Sequence, residues 1–157
     1  MKKYLRKIIL FIWTKLFKQE AIRLINEVVY HNHYIFNSNG QLRIGNGSHL
    51  QNAFINLSSG NVVIGNNVSF GHNVSCLTGT HIINESGESR QHNFPTEGFD
   101  IVIEDGAWIG SNVTILGPCK IGKNAAIAAM SLLNKTDVQE NTLYGGVPAK
   151  FIKTINL

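Results

Sequence analysis

Between residues 103 and 133 an aliphatic side chain recurs at every sixth position: Ile103, Ile109, Ile115, Ile121, Ile127 and Leu133. The same spacing holds upstream at Ile64, Phe70 and Cys76, and again at Ile44 and Leu50. A second apolar residue often stands four positions after the first, as at Val68, Val74, Val113 and Ala125. A helix repeats every 3.6 residues and a simple strand every two, so neither produces a period of six. A coil of short parallel strands does. Each hexad then supplies one strand and one turn, with its aliphatic side chain inside the coil. The Gly and Asn residues that punctuate the hexads accept the positive φ of a tight corner. A single hexad cannot bury its apolar side alone, so successive coils must stack to make a core.

Two segments break the period. Residues 79–98 read GTHIINESGESRQHNFPTEG, polar and without apolar pattern. A coil has little room for such residues, so they must loop outward, and loops on a rigid scaffold are where binding groups collect. The other break is the start of the chain. Lys3, Lys7, Thr14 and Lys18 would share one face of a helix, and Leu5, Ile9, Ile12 and Leu16 another, which predicts a basic amphipathic helix. Its longest apolar run, 8–13, is too short to span a bilayer, and no small-x-small cleavage site follows. Such a helix either packs on the body or a neighbouring subunit, or lies on an anionic membrane surface. The chain divides into a helical segment (1–36), a coiled body (37–136) interrupted by a loop at 79–100, and a closing segment (137–157).

Charge and composition narrow the picture. The net charge is +4 over 157 residues. Residues 1–23 hold seven basic groups and one acid, whereas the remainder holds seven basic groups and nine acids. The basic character thus belongs to the N-terminal segment, and the body is not a nucleic-acid surface by charge. Two cysteines, Cys76 and Cys119, make no CxxC pair and no disulfide framework, which suits a reduced, cytosolic setting.

The hexads, together with WIG at 108–110, IGKNAAIAAMSLL at 121–133 and YGGVPAKFIK at 144–153, resemble the hexapeptide-repeat acyltransferases. With TGTH at 78–81 ahead of the loop, the pattern looks most like the galactoside- and maltose-type sugar O-acetyltransferases and polysaccharide O-acetyltransferases. The resemblance covers roughly residues 40–153 and implies an all-β fold, a left-handed parallel β-helix. It also implies a homotrimer with sites between subunits, and acetyl transfer from acetyl-CoA to a hydroxyl of a sugar or surface glycan. A sugar hydroxyl needs a base within hydrogen-bond reach, and histidine serves near neutral pH without large perturbation. The resemblance puts that base at His81. It carries the acetyl-CoA site to Trp108, Ser111, Ala129, Lys135 and Lys150, and leaves Gln51, His72 and Arg90 as acceptor contacts. The chain departs from the family at AAMS (128–131), where Met130 replaces a glycine, and at Gln51, where sugar enzymes tend to place an asparagine. No metal is expected: the zinc-dependent carbonic anhydrases of this coil need two histidines five apart, a pair this sequence lacks. The alternatives are acetylation of an amino sugar, serine or an antibiotic, or a non-catalytic β-helix binding module. Small enzymes of this kind suit glycan assembly in the cytoplasm, with peripheral contact at the inner membrane face.

Overall fold

A computed structural model describes the backbone of residues 2–31, 33–36 and 40–157. It divides into two compact units, Met1–Asn32 and His33–Leu157.

The second unit is a parallel β-helix with three flat faces. The first face stacks β1 (Tyr34–Phe36), β3 (Phe54–Asn56), β6 (Ser75–Leu77), β9 (Thr114–Leu116) and β12 (Leu132–Asn134). The second stacks β2 (Leu42–Ile44), β4 (Val62–Ile64), β7 (Ile101–Ile103), β10 (Cys119–Ile121) and β13 (Asp137–Val138). The third stacks β5 (Ser69–Phe70), β8 (Trp108–Ile109), β11 (Ala126–Ile127) and β14 (Thr142–Gly146). Every one of these pairings is parallel. At the end of the stack β15 (Ala149–Thr154) turns back antiparallel on β14 and covers the edge of the third face.

The hexad side chains do what their period requires. Ile103, Ile109, Ile115, Ile121, Ile127 and Leu133 are at most 1% exposed, and Val68, Val74, Val113 and Ala125 are fully buried beside them. Each aliphatic side chain so buried contributes about 1.5–3 kcal/mol. Ile44 is the exception at 41% exposed. Its strand, β2, is the edge of its face, and the stack ends there.

At the corners, residues with positive φ reverse the chain: Asn67, Gly106 and Asn124 at one, Asn73, Asn112 and Met130 at another. Side-chain oxygens satisfy corner N–H groups that no strand pairs. Asp105 Oδ1 accepts from Asn66 N at 2.7 Å, and Ser111 Oγ accepts from His72 N at 3.1 Å. One buried hydroxyl, Ser59 Oγ, has no partner among the described residues.

The corner joining the first face to the second carries the interruption. Ile115 pairs with Leu133, and the chain between them makes one regular coil of three hexads. Cys76 pairs with Ile115 in the same column, yet the chain between those two is more than twice as long. The excess lies outside the coil, between Leu77 at the end of β6 and Ile101 at the start of β7.

The first unit is a single helix, α1 (Lys2–His31). The helix is present, but its expected amphipathic face is not. Apolar residues circle the axis: Ile9 and Phe11 project to opposite sides, and both are more than half exposed. The spacing of Leu5, Ile9, Ile12 and Leu16 marks one stripe, but Ile8, Leu10, Phe11 and Phe17 fill the remaining sides. Among the described residues no helix is long and apolar enough to cross a membrane.

Candidate active site

The loop is pinned where it leaves the coil. Thr78 is buried, and its Oγ1 donates to the Asn56 carbonyl at 2.9 Å while accepting from Ser59 N at 3.2 Å. Gly79 then lies flat on the Asn56 side chain, and a Cβ there would stand 2.7 Å from Asn56 Oδ1. Only glycine lets the chain pass so close. At the returning end Phe99 N donates to the Ser59 carbonyl at 3.1 Å, and the Phe99 carbonyl packs directly on Gly117. Both ends are thus held by residues of the neighbouring coils.

Within the loop a short helix, α2 (Gly87–His92), is knitted by Glu85. Glu85 Oε2 accepts from Ser89 Oγ at 2.6 Å and from Asn93 Nδ2 at 3.0 Å, and these bonds hold its carboxyl below the usual carboxylate range. Arg90 Nη2 donates to the Ile83 carbonyl at 2.9 Å. The Arg90 carbonyl lies 2.8 Å from His81 Nδ1. A carbonyl only accepts, so Nδ1 carries the proton and the lone pair of the neutral ring resides on Nε2. Phe94 stands edge-on to the imidazole, with ring centroids 6.4 Å apart and planes at 79°. His81 is therefore exposed yet held in one tautomer, by a backbone oxygen rather than by one of the loop carboxylates.

His81 lines two clefts. A smaller one of about 300 Å³ lies toward the start of the stack, between Phe36, Asn56, Ser58 and Phe94. A larger one of about 490 Å³ lies toward its end, lined by Leu77, Ile82, Ile83, Phe99 and Leu116 and by the polar Asn134 and Lys135.

The other expected site residues separate into groups. Lys135, at a corner with φ of +50°, shares the larger cleft with His81. Trp108 projects from β8 on the third face, 57% exposed, and Lys150 stands exposed on β15 of the same face. That face lies opposite the corner that carries the loop. Ser111 and Ala129 occupy the corner between the third and first faces, as does His72; Gln51, with φ of +50°, turns the chain there one coil earlier. Ser111 Oγ is used by the His72 N–H. Within one chain, then, His81, Lys135 and Arg90 are together, while Trp108, Ser111, Ala129 and Lys150 lie across the coil from them. The Arg90 guanidinium is engaged inside the loop.

Comparison with known proteins agrees with this architecture. The family described as Bacterial transferase hexapeptide (six repeats) matches residues 100–135. Residues 100–135 thus carry a recognisable hexapeptide repeat. Among relatives of this repeat chain, a galactoside O-acetyltransferase of Lactococcus lactis is 34% identical over 95 residues, which cover 60% of this chain and 44% of the relative. A maltose O-acetyltransferase from Clostridium difficile superposes with a TM-score of 0.61 at 30% identity, covering 80% of this chain and 65% of that one. A hexapeptide-repeat acetyltransferase from Vibrio cholerae superposes at 0.58 with 27% identity, covering 88% and 81%. The repeat chain spans about half the length of the curated relatives it matches.

Sequence reading missed Phe36, Asn56, Ser58 and Phe94 beside His81. A signal for Asn56 existed. It follows the buried Ile55 directly, in the same register as Leu77, Leu116 and Asn134, and therefore faces outward in the row beneath the loop. Phe36 and Phe94 carried no such signal, since only the fold brings them to one cleft.

Proposed function

We propose that this hexapeptide-repeat protein is an acetyl-CoA-dependent O-acetyltransferase acting on a hydroxyl of a sugar or surface glycan, with His81 as general base. One observation carries the reading: the hydrogen bond from His81 Nδ1 to the Arg90 carbonyl leaves the basic Nε2 available at the junction of two clefts. Nε2 takes the proton of the acceptor hydroxyl as its oxygen attacks the thioester carbonyl. The C–O bond forms, the C–S bond breaks, and the proton returns from Nε2 to the leaving thiolate.

The chain's residues fit acetyl-CoA as a substrate in two parts. The larger cleft is lined mostly by apolar residues and includes Lys135, which suits a thin pantetheine arm leading to a phosphate. Trp108, Ser111, Ala129 and Lys150 lie on the far side of the coil, so they serve the same substrate only from a second copy. This supports a site shared between two subunits, as in the homotrimer the resemblance implies. The names of the relatives support acetyl transfer and favour sugar acceptors.

Thiol release from acetyl-CoA, measured with a panel of mono- and oligosaccharides, tests the reading. The wild type should release CoA with at least one sugar, and His81→Ala should be slower by roughly 10²–10⁴-fold. Release by the variant at the wild-type rate would remove His81 from the chemistry.

We assign the enzyme to the cytoplasm with peripheral membrane contact through α1. The basic excess of residues 1–23, seven basic groups against one acid, supports this because each basic group is attracted to anionic lipid. Co-sedimentation with vesicles should rise with phosphatidylserine content and fall with salt; equal binding to neutral vesicles would exclude an electrostatic contact.

A further inference from the structure

Ser111 and Ala129 serve acetyl-CoA in the proposed reaction, and Met130, next to Ala129, has no part in it. Resting on the acetyl-CoA reading, we infer that Met130 is a further donor-binding residue: its thioether chain covers the dimethyl-bearing pantoate unit of coenzyme A, beside the pyrophosphate.

The first observation is the backbone. Eight described residues other than glycine have φ in the left-handed region, and five of them are asparagines. Asparagine accepts this conformation because its short amide hydrogen-bonds locally. The other three are Gln51, Met130 and Lys135, whose long side chains offer no such compensation. The family resemblance already gives Gln51 and Lys135 to the site. Backbone strain persists where a particular side chain is needed for function, and Met130 is strained in the same way.

The second observation is where its side chain goes. Met130 N donates to the Ser111 carbonyl at 3.0 Å. Ser131 Oγ donates to the Ala128 carbonyl at 2.6 Å and accepts from Gly146 N at 3.1 Å. Ala129 lies so close over Gly110 that a Cβ there would stand 2.5 Å from Ala129 N. The turn is thus clamped to the coil, and the Met130 side chain projects outward, 68% exposed. Asn73 and Asn112 hold the same corner in earlier coils without strain of this kind and without exposing apolar surface. The methionine is accounted for by something that covers it in the assembled enzyme.

The third observation is its level in the stack. Met130 and Lys135 flank β12, one at each of its corners, and so share one rung. A closed rotation about an axis along the stack keeps rungs level, so Met130 of one copy stands level with Lys135 of the next. Lys135 belongs to the larger cleft, which carries the pantetheine arm toward phosphate in the proposed reaction. In coenzyme A the pantoate unit, with its two methyl groups, directly adjoins the pyrophosphate. A point charge for the phosphate and, on the same rung, a flexible thioether for the methyl groups match that order.

The test is isothermal titration of the full chain with coenzyme A and with adenosine 3′,5′-bisphosphate, which keeps the nucleotide but lacks pantoate. Met130→Asn suits the corner and removes the apolar chain, whereas Met130→Leu keeps one. Met130→Asn should weaken coenzyme A binding about fivefold to tenfold, as expected for losing roughly 50 Å² of apolar contact. It should leave binding of the bisphosphate unchanged. Met130→Leu should bind coenzyme A within about twofold of wild type, since the swap conserves volume. Sedimentation of each variant reports whether the assembly is intact. Wild-type affinity of Met130→Asn for coenzyme A would remove Met130 from the donor site and leave acetyl transfer standing. An equal loss for both ligands, or an assembly that falls apart, would show Met130 packing on protein and overturn the contact. A wild type that takes up no coenzyme A would sink acetyl transfer and the contact together.

Discussion

At the scale of single residues, the proposed chemistry rests on which imidazole nitrogen is occupied. His81 Nδ1 is bound to a backbone carbonyl, which no side-chain substitution removes. The position of that carbonyl does depend on the Arg90 side chain through its bond to Ile83. A different residue carries strain. Met130 adopts φ of +61° at a corner where Asn112 and Asn73 occupy the equivalent positions of earlier coils. Left-handed backbone costs a residue with a Cβ about 1 kcal/mol that glycine does not lose. Met130→Gly should therefore raise stability to denaturant by up to about 1 kcal/mol, because its exposed side chain surrenders little packing. A loss of stability in urea titration would show that the Met130 side chain packs on something it needs. The cysteines are inert by contrast: burial pushes the Cys76 and Cys119 thiols up to about 12.

At the scale of elements, the loop behaves as a strap fixed at two points, and its glycines are not equivalent. Gly117 has no room for a side chain against the Phe99 carbonyl, so Gly117→Ala must displace the returning end of the loop. A cost of about 2–3 kcal/mol and a loss of activity are expected, since packing and a positioned loop are disturbed together. Gly98 is at φ +88° with open space around its missing Cβ. Gly98→Ala should cost only the left-handed conformation, about 1 kcal/mol, with activity kept. Equal effects of the two in melting and turnover would show that the strap is not anchored at Gly117. The regular strands were legible beforehand, because each hexad states its inward residue. The loop's existence was legible too, as a polar stretch in which the period lapses. Its internal order was not: α2, the Glu85 bonds and the Arg90–Ile83 link depend on side chains meeting across turns, which no spacing encodes.

At the scale of the whole molecule, the candidate residues divide between opposite sides of one coil. His81 and Lys135 stand at the corner opposite the face that carries Trp108 and Lys150. If the site is shared between copies, two inactive variants should complement one another. Mixing His81→Ala with Trp108→Ala after partial unfolding and refolding should restore up to about a quarter of wild-type turnover, from those interfaces that pair two unaltered sides. No recovery from a mixture shown by sedimentation to contain hetero-oligomers would place the whole site within one chain.

The period of six by itself determined the stacked coil, the inward columns from Ile103 to Leu133, and the point at which the coil opens. It did so because burial of one side chain per strand repeats without regard to distant sequence. The motif TGTH likewise singled out His81. Only the tertiary structure decided the rest. It fixed the His81 tautomer, because that depends on the Arg90 carbonyl, brought back to the imidazole by a turn of the loop. And it set Phe36 beside Phe94 while parting Trp108 from His81, because the coil's three faces, not separation along the chain, decide which side chains meet.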